Sequence, residues 1–92
     1  MNAKFVHVAF NFEGTDPPIK ELEGLFSAAL DWVRYGNESW ILYTTTELDT
    51  WRDRIRATKA VPGEVSFLLV EFGDYYSGYL HDWIWEWLHK SR

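Results

Sequence analysis

Apolar and polar positions change their period several times along the chain. From Phe5 to Phe12 the positions Val6, Val8, Phe10 and Phe12 are apolar, and the alternate set, Phe5, His7, Ala9 and Asn11, is largely apolar too. A run that is apolar on both faces predicts a central strand with both sides covered. Glu13-Gly14-Thr15-Asp16-Pro17-Pro18 then interrupts it. Asp16 is placed to cap a helix, and the prolines suit a first turn, where no N–H is needed. Ile19, Leu22, Leu25, Phe26 and Ala29 follow at helical spacing, predicting a first helix to about Ala29.

Between Leu30 and Thr45 the period returns to two. Trp32-Val33-Arg34-Tyr35 and Trp40-Ile41-Leu42-Tyr43-Thr44-Thr45 are rich in aromatic and β-branched residues, and Gly36-Asn37 between them tolerates the positive φ of a tight turn. Two antiparallel strands are expected. The alternative extends the first helix through Tyr35 and keeps only the second strand. Thr46-Glu47-Leu48-Asp49 has the form of a capping box, so a second helix is expected there, with Leu48, Trp51 and Ile55 as its buried stripe. Ala60-Val61-Pro62-Gly63 ends it, and Val65 to Phe72 is a further strand, again apolar on both faces. After Gly73-Asp74, a helix is expected from about Ser77, with Leu80, Trp83, Ile84, Trp87 and Leu88 on its apolar side.

The predicted order is strand, helix, strand, strand, helix, strand, and then a C-terminal helix. This is an α+β chain. Two βαβ-like halves in residues 1–73 match a ferredoxin-like βαββαβ sandwich with a four-stranded antiparallel sheet, to which residues 74–92 add an aromatic helix. The whole chain, 1–92, is read as one domain, too short for two.

Composition sharpens the expectation in one respect. Aromatics make up 18% of the residues, including six Trp, more than so small a body hides easily, so some are expected at an interface. Cysteine is absent, which excludes disulfides and thiolate chemistry. No apolar run reaches the ~18–20 residues of a membrane span. Met1-Asn2-Ala3-Lys4 leads directly into a strand, not into a secretory h-region, so a cytoplasmic location and no membrane partner are expected. A net charge of −5 disfavours whole-surface attraction to nucleic acid.

The topology, the segments FVHVAFNF, DWVRYGNESWILYTT leading to ELDTWRDRIR, and VSFLLVEFG followed by GYLHDWIWEWL resemble the CRISPR-associated small ribonuclease/integration-scaffold superfamily and its VapD-like and SinR-like ferredoxin-fold relatives. The resemblance implies a homodimer whose sheets meet, in a prokaryotic defence or phage setting. It also implies a divalent-metal nuclease as an alternative function. The nuclease members carry an Asp at the end of the first strand, where this chain has Asn11, and Glu13 lies two residues on. Asn11 and Glu13 are therefore the candidate metal ligands of that alternative. Asn offers Mg²⁺ an oxygen but no charge.

The residues carry little visible catalytic chemistry. His7 lies in the first strand with no partner nearby in sequence, and is expected to be half-buried and hydrogen-bonded. His81 and His89 are eight residues apart, too far for a helical metal pair. No nucleophile elbow, phosphate loop or zinc spacing occurs, and no catalytic residue or cofactor is assigned. Arg52, Arg56 and Lys59 share one face of the second helix. They form either a solvated face paired with Asp49 and Asp53 or an anion-binding stripe. Tyr75, Tyr76, Trp83 and Trp85 are the expected interface residues, with Trp85 off the apolar stripe of its helix. The expected function is that of a non-enzymatic, homodimeric protein-binding module, with nucleotide sequestration or the metal nuclease as alternatives.

Overall fold

Four strands and three helices alternate along residues 2–92, the residues that the computed structural model describes. In chain order they are β1 (Lys4–Asn11), α1 (Ile19–Phe26), β2 (Asp31–Gly36), β3 (Ser39–Thr44), α2 (Leu48–Ala57), β4 (Ser66–Phe72) and α3 (Asp82–His89). The strands form one sheet in the order β2-β3-β1-β4, with every neighbouring pair antiparallel. This is a small α+β fold, and β1 is an interior strand, as its doubly apolar pattern predicts.

Alternation along β1 divides the molecule into two cores. Val6, Val8, Phe10 and Phe12 point to one face, where Trp40 and Leu42 of β3 join Leu22 and Phe26 of α1 and Trp51 and Ile55 of α2. Phe10 sits edge-on to Trp40, with ring centroids 5.7 Å apart, and Phe26 lies against both Trp40 and Trp51. These large rings supply most of the apolar area in a chain with few residues to spare. On the opposite face, Val33 and Ile41 are covered by Ile84 and Leu88 of α3, with Phe5, Phe72, Tyr76, Leu80, Trp85 and Trp87 packed around them.

The element boundaries differ from expectation at five places. First, α1 ends at Phe26 rather than near Ala29; residues 27–30 turn so that the Leu30 N–H reaches the Tyr43 carbonyl at 2.9 Å, which starts the β2–β3 ladder. Second, Asp16 does not cap α1. Its N-cap is Pro18, without a side-chain cap, and Asp16 is exposed. Third, the hairpin turns at Asn37-Glu38, one residue later than Gly36-Asn37, after a register shift between Arg34 and Gly36. Glu38 then reaches across to β1, accepting the Phe10 N–H on its carbonyl at 3.0 Å and the Phe12 N–H on Oε1 at 2.9 Å. The positive φ values fall instead at Glu13 (51°) and Gly14 (87°) after β1.

Fourth, the capping box at Thr46 does not form. Glu47 is the N-cap of α2 and makes no side-chain cap. The hydroxyl that matters is that of Thr44, which accepts the Thr46 N–H at 3.0 Å and the Trp51 indole N–H at 3.2 Å. Fifth, α3 begins at Asp82, with residues 77–81 running as an irregular strap before it. Of its expected apolar side, Ile84 and Leu88 are buried. Trp83, expected on that side, is exposed, and Trp85, expected off it, is half-buried.

Candidate binding surface

The second face of the sheet is covered over only part of its width. α3 lies over β2 and β3, where Val33 and Ile41 are buried against Ile84 and Leu88. The strap after β4 brings Tyr76 and Leu80 to the same core. Tyr76 stands edge-on to Phe72 at 5.4 Å and stacks on Trp85 at 6.3 Å, and Trp85 in turn stacks on His89 at 5.9 Å. This aromatic stack explains why Trp85, off the helical stripe, is still half-covered: the strap supplies its partner.

Beneath the stack is a cavity of about 430 Å³, lined by Ile41, Val70, Phe72, Tyr76, Leu80, Trp85 and Leu88, with His7 and Tyr35 at its polar end. His7 Nε2 and the Tyr35 hydroxyl are hydrogen-bonded to each other. The partner that the neighbourhood of His7 in sequence lacked comes from β2, two strands away, through the β1–β3–β2 register. Burial pushes the His7 pKa below its ordinary 6.5, because the imidazolium would lose hydration there. No carboxylate, Lys or Arg lines this cavity, so no charged group there stands beside His7 as a partner.

Past Phe72, along β4, the face is bare. Leu68 is 64% exposed and Val70 44% exposed, although β4 is apolar on both faces in sequence. Leu68 and Val70 lie opposite Ala9 and His7 of β1. On the same strand Phe67 and Leu69 turn to the other face and pack against the first core. The strand therefore half-buries Phe67 and Leu69 on one side and leaves most of the other open.

The expected interface residues do not gather in one place. Tyr76 and Trp85 belong to the stack over the cavity. Tyr75 is fully exposed. Trp83, 52% exposed, lies with Trp87 in an open groove along β2 together with Glu23, Trp32 and Arg34. Leu68 and Val70 were not singled out from sequence, because a doubly apolar strand reads as a buried one. What exposes it is that α3 covers β2 and β3 and leaves this side of β4 open.

The other candidates are placed as follows. Arg52 lies between two carboxylates, 3.3 Å from Asp49 and 3.1 Å from Asp53, on an exposed face of α2. Arg56 is exposed farther along the helix, whereas Lys59 lies past its end at Ala57, where Thr58 turns to an extended conformation, and so does not share the helical face expected of it; the Arg54 guanidinium covers the Trp51 ring at 4.9 Å from its centroid. All of them lie on the side of the sheet away from the cavity, because Trp51 and Ile55 anchor α2 in the first core. Asn11 and Glu13 are exposed, and Asn11 Oδ1 accepts the Glu13 N–H at 3.0 Å, a local turn that occupies the amide oxygen. Among the described residues, no three His, Cys, Asp or Glu side chains come together as a metal-holding group. No helix among them is long and apolar enough to cross a membrane. Comparison of the chain with family models, with curated proteins and with solved structures returned no match.

Proposed function

We propose that this chain is a non-enzymatic, homodimeric protein-binding module of ferredoxin-like architecture, which engages its partner through the β4 side of the sheet, which α3 leaves open. One observation carries this reading: Leu68 and Val70 stay exposed side by side on a strand whose pattern calls for cover on both faces. Large apolar side chains grouped on an otherwise polar surface are the usual mark of an interface. The strand order β2-β3-β1-β4, with the β2–β3 hairpin between two split βαβ halves, supports the ferredoxin-like assignment. It is also the topology on which the resemblance to the small CRISPR-associated ribonuclease/integration-scaffold superfamily rests, and with it the defence or phage setting.

The two alternatives draw less support. Nucleotide sequestration needs cations and stacking rings together, and Arg52 and Arg56 lie on α2, with Lys59 just past its end, across the sheet from the stack of Tyr76 and Trp85. A metal nuclease at Asn11 and Glu13 would have a single carboxylate and an amide oxygen already shared with the Glu13 N–H, and among the described residues no three His, Cys, Asp or Glu gather there. Sedimentation tests the favoured reading. The native chain is expected at dimer mass, and Leu68→Ser with Val70→Ser at monomer mass with an unchanged circular dichroism spectrum. A native chain that stays monomeric at every concentration overturns the homodimer.

A further inference from the structure

The geometry points to the outer edge of β4 as the seam along which two copies of this chain join, antiparallel, about a two-fold axis at Leu69; the inference rests on the homodimeric reading above and specifies its interface.

The backbone directions follow from one hydrogen bond. The Phe10 N–H donates to the Glu38 carbonyl at 3.0 Å, on the β3 side of β1. N–H and C=O groups alternate sides along a strand, so those of Phe5, His7, Ala9 and Asn11 face β4. Their register partners are Phe72, Val70, Leu68 and Ser66, which are therefore the β4 residues bonded inward. Phe67, Leu69 and Glu71 direct their N–H and C=O groups outward, and β4 ends the sheet. An unpaired ladder of this kind is a template for another strand.

The two edges of the sheet are built differently. β2 carries the register shift between Arg34 and Gly36 and the charged residues Asp31 and Arg34, all of which discourage strand addition. β4 keeps an unbroken register from Phe72 to Ser66, contains no proline or lysine, and has one charge, Glu71. Such an edge is protected in few ways other than by being paired.

A second copy fits this edge because β4 is complementary to itself. With Leu69 opposite Leu69, both outward ladders are satisfied, and Leu68 of each copy falls opposite Val70 of the other in the close, non-hydrogen-bonded positions. The side chains left exposed in the single chain thereby form one continuous apolar cluster across the seam. Glu71 falls opposite Phe67, so no like charges meet, and Lys4 at 3.7 Å already balances the Glu71 carboxylate. The two sheets become one eight-stranded sheet.

Amide hydrogen exchange of the full chain, recorded at low and high concentration beside sedimentation, tests the seam. Dimerisation is expected to slow exchange at Phe67, Leu69 and Glu71 by a factor that grows with concentration. Leu68 and Val70, bonded to β1 in either state, are expected to stay protected throughout. Leu68→Lys and Val70→Glu chains are each expected to lose the dimer. Their mixture is expected to recover it, because the ammonium introduced in one copy then faces the carboxylate introduced in the other. A chain that never dimerises overturns the homodimer and the seam together. A dimer in which the amides of Phe67, Leu69 and Glu71 exchange at the dilute rate, or whose two charged variants show no preference for each other, overturns the seam and leaves the homodimer standing.

Discussion

The indole N–H of Trp87 donates to Asp31 Oδ2 at 3.0 Å, joining residues 56 positions apart. The bond fixes α3 to the start of β2, and the segment around it closes over the same carboxylate. Arg92 reaches Asp31 at 3.5 Å, and its guanidinium lies over the rings of Tyr43 and Trp87, 4.7 and 4.6 Å from their centroids. Asp31 Oδ1 meanwhile accepts the Trp32 N–H. One carboxylate thus orders both the hairpin entry and the helix that covers the sheet.

Asp31→Ala is therefore expected to lower stability by about 1–3 kcal/mol, since it strands the Trp87 donor and removes a charge-assisted acceptor. Asp31→Asn, which can keep the indole bond but loses the attraction to Arg92 and Lys90, is expected to lose less, because the ion pairs, at 3.5 and 3.8 Å with the Asp31 carboxylate partly open to solvent, contribute about 0–1 kcal/mol each. Urea titration followed by near-ultraviolet dichroism separates the two. Equal losses for both variants would show that the hydrogen bond to Trp87 is not what holds α3.

Thr44 is the only buried polar side chain in the core among the described residues, and its hydroxyl oxygen accepts two N–H groups. Thr44→Val preserves shape but leaves the indole of Trp51, itself fully buried, without an acceptor. A loss of about 1–3 kcal/mol is expected, read as a lower denaturation midpoint with an unchanged slope. A variant as stable as the native chain would contradict this account of how α2 is anchored.

His7 makes stability depend on pH in a definite direction. Its folded-state pKa lies below 6.5 because burial disfavours the imidazolium. As pH falls, the unfolded chain takes up this proton first, so stability is complete above 6.5 and declines between 6.5 and the lower folded-state value. The Tyr35 hydroxyl is its hydrogen-bonding neighbour, and no charged side chain lines the cavity to offset the effect. His7→Gln is expected to flatten the pH profile in that window. Parallel profiles for the two proteins would remove His7 from the explanation.

Glu13 has a φ of 51°, a left-handed conformation that costs a side-chain-bearing residue about 1–2 kcal/mol. Glycine adopts it without that strain but gives back about 0.5–1 kcal/mol in chain entropy. Glu13→Gly is expected to raise stability by up to about 1 kcal/mol, observable as a higher melting temperature. A lower melting temperature would mean that the Glu13 side chain contributes something beyond the turn.

The order and type of the elements were legible because each depends on local periodicity. The doubly apolar run at Phe5–Phe12 is the central strand, the aromatic stretch from Trp32 to Thr44 is a β2–β3 ribbon and not a continued helix, and Trp51 and Ile55 face inward. Boundaries were less legible where distant groups decide them. α1 stops at Phe26 because Leu30 is taken by Tyr43, and α3 starts at Asp82 because Tyr76 and Leu80 are drawn onto the sheet in extended form. Neither partner lies within the window that sets local preference. The candidate site was less legible still. Tyr35 is 28 residues from His7, and the exposure of Leu68 depends on how far α3 reaches across the sheet.

What the amino-acid order determined alone is the alternation and spacing of side chains: which segments become strands or helices, and which positions share a face. The tertiary structure decided which of those faces are covered. VSFLLVEF reads as apolar on both sides wherever it is placed, and only the pairing of β1 with β3 on one side and β4 on the other puts it at the rim. Burial is a property of neighbours, and neighbours in a sheet are chosen across the chain rather than along it.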